Sequence, residues 1–112
     1  MDTSPTVAEL VAQYLLRCEV EGKSPRTVRA YRETLGRFLA SVPVTDPAAV
    51  RSEDVYVYLG RYTHLTLETR HRYFREVRCF FNWLVEADYL ERSPFRGIRN
   101  VRLPQRIVQP MS

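Results

Sequence analysis

Apolar residues recur at three- and four-residue intervals along most of the chain, and the recurrences sort into four helices. Val7, Leu10, Val11, Tyr14, Leu15 and Cys18 fall on one arc of a first helix. Thr6 followed by Glu9 has the capping-box spacing that opens it, and Gly22 is placed to close it in a left-handed conformation. Leu16 points the other way, where a lone leucine is ordinary unless a partner covers it. Ser24-Pro25 is the next start signal, with the hydroxyl as N-cap and the proline at the first helical position. Val28, Tyr31, Leu35, Phe38 and Leu39 make the apolar stripe of this second helix, with Arg26, Arg29, Glu33 and Arg37 on the opposite face. Pro43, Asp46 and Pro47 predict a loop. Ser52 is then the expected cap of a short third helix carrying Val55, Leu59 and Tyr62, although the run from Val55 to Leu59 is also β-prone. Thr66 caps the longest helix, whose stripe is Arg70, Tyr73, Phe74, Val77, Phe80, Phe81, Leu84 and Val85, with His71, Arg72, Arg75 and Arg78 opposite or at its edge. Ser93-Pro94-Phe95 marks a tight exit. From Arg96 the periodicity lapses, and the remainder reads as an extended arm or interdomain linker.

Composition bounds this picture without changing it. A chain of 112 residues with 45% hydrophobic and 27% charged residues and 4 glycines has the makings of one compact domain and is no disordered or low-complexity segment. Polar residues interrupt every apolar run before it could span a bilayer, and no basic stretch followed by an apolar one opens the chain. The expectation is a cytoplasmic protein without a membrane partner. Cys18 and Cys79 have neither C-x-x-C nor Cys/His spacing, so two buried thiols are expected rather than a disulfide framework or a metal site.

Charge adds the first functional cue. The net charge of +4 is distributed as basic islands at 22–40, 61–79 and 93–112 separated by acidic stretches. All basic residues but Lys23 are arginine. The guanidinium fork suits phosphate oxygens and base edges, although an arginine bias also follows from a GC-rich genome.

Catalytic chemistry is not indicated. There is no glycine-rich phosphate loop, no G-x-S-x-G and no H-E-x-x-H, and His64 and His71 lack a carboxylate at metal-ligand spacing. Tyr14, Tyr31, Tyr62 and Tyr73 lie on apolar stripes, where packing accounts for them. No catalytic residue, metal or cofactor is assigned. A binding surface is what remains. Helix N-termini present free N–H groups and the positive end of a dipole, which attract phosphate. Two such ends coincide with basic islands: Lys23, Ser24, Arg26, Thr27 and Arg29 at the second helix, and Thr66, Thr69, His71, Arg72 and Arg75 at the fourth. Arg99, Arg102 and Arg106 extend the candidate surface along the arm. Each cluster alone could equally cap a helix and solvate a face; two clusters and a basic arm together favour duplex DNA.

These residues carry a resemblance. Gly22-Lys23-Ser24-Pro25-Arg26-Thr27 leading into Tyr31, Leu35 and Phe38 resembles the G-x-S-x-x-T-x-x-x-Y-x-x-x-L-x-x-F stretch of the N-terminal core-binding (SAM-like) domain of tyrosine recombinases, the phage integrase family. Arg72, Phe74, Val77, Arg78, Phe80, Phe81, Trp83 and Leu84 are similar to that family's R-x-L-x-x-L-R-x-F-F-x-Y-L pattern, and Ser93-Pro94-Phe95 to its Asn-Pro turn. Arg75 and Glu76 depart from it, standing where small residues are common.

The resemblance implies an all-α fold, a compact four-helix orthogonal bundle over 1–95, with 96–112 as a linker toward a separate catalytic domain that this chain lacks. It implies double-stranded DNA, that catalytic domain and other recombinase protomers as partners, and a role in gripping the core site through the second and fourth helices while the Arg, Lys, His and Tyr catalytic set resides elsewhere. A helical protein-interaction module, with Leu16 on its contact face, is the alternative.

Overall fold

The computed structural model describes residues 4–103. Four α-helices, α1 (Val7–Val20), α2 (Pro25–Ser41), α3 (Ser52–Gly60) and α4 (Leu67–Glu86), form an all-α bundle, with one 3-10 turn at Pro47–Ala49 and no strand among the described residues. The capping chemistry read from the sequence is in place. Thr6 Oγ1 accepts from the Glu9 amide while the Glu9 carboxylate accepts from the Thr6 amide. Ser24 and Thr66 accept from the amides of Thr27 and Thr69, and Gly22 closes α1 with φ +87°. The third helix departs from expectation. Its cap lies one residue earlier, at Arg51, whose amide is held by the Asp54 carboxylate at 2.9 Å. Ser52 is instead the first helical residue and donates to the Pro94 carbonyl. Helical geometry overrides the β-prone run; Val55 is fully buried as its stripe requires, and Tyr58 rather than Leu59 or Tyr62 joins it.

Aromatic rings hold the helices together. Phe38 on α2 meets Tyr58 and Phe81 edge-on, with centroids 5.3 and 5.4 Å apart. Tyr14 on α1 reaches Phe80 and Trp83 on α4, both at 5.5 Å. Phe95, just beyond the exit turn, packs edge-on against Phe74 at 5.1 Å and lies near Phe81. Such pairs add about 0.5–1.5 kcal/mol each beyond the area they bury.

The crossing of α2 and α4 positions the candidate surface. Thr34 faces Glu76, and three residues further along α2, Arg37 faces Tyr73, three residues back along α4. The helices therefore cross in an antiparallel sense, obliquely enough for Phe38 to reach forward to Phe81 in the core. Pro25 lies nine residues before Thr34, and Leu67 nine before Glu76. Each helix start is thus about 13 Å from the crossing at 1.5 Å per residue, on opposite arms. Antiparallel packing thus sets the two basic helix starts apart.

Candidate nucleic-acid interface

What lies between those ends is a row of guanidinium groups. Arg37, half-buried on α2, sits over the Tyr73 ring with Cζ 4.8 Å from its centroid, and Arg72 on α4 approaches the same ring at 5.4 Å. Arg61, just after α3, donates to Ser41 Oγ at 3.1 Å, which in turn donates to the Arg37 carbonyl, so a third guanidinium is tied to the end of α2. Arg75 is exposed one turn along α4 from Arg72. Arg26 stands eleven residues before Arg37, three helical turns on the same face. The Tyr73 ring thus holds two guanidinium groups close together, one from each helix.

Beneath this row lies a polar contact that the periodicity did not reveal. Thr34 is wholly buried and Glu76 is 4% exposed, and the Thr34 hydroxyl donates to Glu76 Oε1 at 2.6 Å. Burial pushes the Tyr31 phenol up, with Cys79 and Glu76 adding to the rise and Arg75 opposing it. Burial likewise raises Tyr58, whose hydroxyl donates to the Tyr73 carbonyl at 3.1 Å, and Tyr14. These tyrosines are neutral phenols in packing roles. No group of His, Cys, Asp and Glu among the described residues could hold a metal ion, and no helix among them is long and apolar enough to cross a membrane. Burial also raises the Cys18 thiol; Cys79 is only half-buried.

The residues proposed from sequence divide into three places. Arg72 and Arg75 belong to the α2–α4 crossing, while Arg26 and Thr27 stand at the start of α2, away from it. Lys23 and Arg29 line a separate groove of about 370 Å³ with Glu19, Val28 and Arg32, where Arg32 lies 3.8 Å from the Glu19 carboxylate. His71 turns toward the arm. Its Nδ1 is 3.4 Å from the Val101 carbonyl, and its own carbonyl accepts from Asn100 Nδ2 at 3.1 Å. Arg99 lines a small groove there with Leu59, Arg70 and Phe74, and Arg102 is exposed. Ser24, Thr27, Thr66 and Thr69 spend their hydroxyls on one another and on helix caps. Arg106 lies outside the described residues.

Comparison with known proteins decides the family. The model of the phage integrase N-terminal SAM-like domain matches residues 11–88. The chain belongs to that family. A tyrosine recombinase of Agathobacter rectalis is 25% identical over 92 residues, which is 80% of this chain and 30% of that protein. The integrase from mycobacterium phage Brujita superposes with a TM-score of 0.77 over 92% of this chain and 36% of its own, at 22% identity, a likeness of fold. This SAM-like domain therefore spans about a third of the length of the relatives it matches, and in this family it is the N-terminal domain and not the catalytic one.

Proposed function

We propose that this SAM-like domain grips duplex DNA in site-specific recombination, presenting the α2–α4 crossing to the sugar-phosphate backbone while DNA cleavage and rejoining belong to a catalytic domain of a larger recombinase. The observation that carries the reading is the set of arginines along that crossing: Arg37 and Arg72 against the Tyr73 ring, Arg61 anchored beside them, and Arg75 and Arg26 to either side. Family membership supports it. The two helix starts lie on opposite arms of the crossing, which suits contact with phosphates spread along the duplex rather than with a single phosphate. Other recombinase protomers are further expected partners.

Binding of a mixed-sequence duplex of about two helical turns, followed by fluorescence anisotropy across a salt series, tests the proposal. Neutralising roughly 4 to 7 phosphates predicts a slope of log K against log salt between about −4 and −6. Replacing Arg26, Arg72 and Arg75 together by Ala should flatten the slope and weaken binding at least tenfold while the helical circular dichroism is retained. Unchanged affinity in the triple variant would remove this face from consideration. The opposite face offers the rival reading: Leu16 (60% exposed) and Val20 (79%) stand one turn apart on α1. Chemical-shift mapping separates the two: DNA should shift the amides of residues 23–29 and 66–75, whereas a protein partner should shift those of α1 and leave the arginine row unmoved.

A further inference from the structure

Arg37 is the least satisfied charge in the described molecule. Its Nη1 is buried with no hydrogen-bond partner, and neither ion pair among the described residues involves it. The Glu76 carboxylate faces the same helix crossing, yet it takes its hydrogen bond from Thr34 and does not pair with Arg37. A charged donor left in this state is costly, and folded proteins rarely keep one without a use for it. The guanidinium is instead parked over Tyr73, a ring also met by Arg72 from α4 and edge-on by Tyr62.

We infer that Arg37 is a stored phosphate contact: it rests on Tyr73 in the free domain and swings outward to take a backbone phosphate of duplex DNA beside Arg72. The inference rests on the DNA-binding reading above and adds to it a residue that sequence periodicity assigns only to a solvated face. Half-burial leaves the side chain a short path to solvent, and the bond it lacks inside is one that a phosphate oxygen supplies in bidentate form. Leaving the ring removes an unpaired charge from the interior, so binding and relief of the buried donor act in the same direction.

The stored-contact reading predicts opposite signs for stability and affinity. Arg37→Met keeps an unbranched apolar stem but removes the guanidinium and its charge. It should raise the thermal midpoint by roughly 4 °C, weaken binding of the same duplex about tenfold, and reduce the salt slope by about 0.9, the contribution of one phosphate. Arg37→Lys, which retains charge without the fork, should keep the slope and lose less affinity. A lowered midpoint in Arg37→Met would show that the guanidinium serves to offset the Glu76 charge inside the bundle and would overturn the inference. So would unchanged affinity in that variant while the Arg26, Arg72 and Arg75 triple variant loses binding, an outcome that leaves the DNA reading intact. Failure of the unsubstituted domain to bind any duplex would instead overturn both.

Discussion

At the scale of single residues, the informative positions are those where polarity and burial disagree. Thr34 and Glu76 are polar, buried and 42 residues apart in sequence, so no helical periodicity could pair them; each looks like an interruption of its own stripe. Arg37 follows the same logic, since a face that is solvated on an isolated helix becomes half-covered once α4 crosses it. Thr34→Val removes the one donor seen on the Glu76 carboxylate while preserving shape. It should cost about 2 kcal/mol in urea unfolding, whereas Thr34→Ser should restore most of that; equal stability of all three proteins would show that the contact is dispensable.

At the scale of elements, the sequence was highly legible because helix caps and stripes are local. Every buried residue of α1 lies on the stripe read from periodicity, and Thr6, Ser24 and Thr66 cap as their positions require. The misreading of α3 has two causes: the Asp54 carboxylate holds the Arg51 amide, so the helix starts one residue earlier, and Tyr58 is drawn inward by tertiary contacts with Phe38 and the Tyr73 carbonyl. Gly22 illustrates how sharply an element boundary can be tested. Its φ of +87° is closed to most residues, yet a Cβ there would meet nothing within 4 Å. Gly22→Ala should therefore cost about 1 kcal/mol from the backbone alone, measurable as a lowered melting midpoint without change in the spectrum of the folded domain. A neutral result would mean that the α1–α2 turn relaxes into another geometry.

At the scale of the whole molecule, the arrangement of helices was the part sequence could not supply. Basic clusters at two helix starts do not say how those starts are arranged; the antiparallel crossing sets them apart and brings Arg37 and Arg72 to one Tyr73 ring. The arm is the second such case. Its first residues do not leave the bundle at Phe95: the amides of Arg96 and Ile98 bond to the Ser93 and Phe95 carbonyls, and Asn100 and Val101 are fastened to His71. Asn100→Ala should raise hydrogen exchange at the Val101 amide, which the Asn100 side chain accepts from, while exchange in the α4 core stays unchanged; identical protection at Val101 would show that the arm is held by other contacts. Fastening has a consequence for reach. With six residues from Arg96 to Val101 laid along α4, a chain continued from Val101 would start from a point held at His71, on a leash about 20 Å shorter than a chain released at Phe95 would give. A shorter leash confines its far end to a smaller volume, so a domain carried on it would meet the same stretch of duplex more often and from fewer directions.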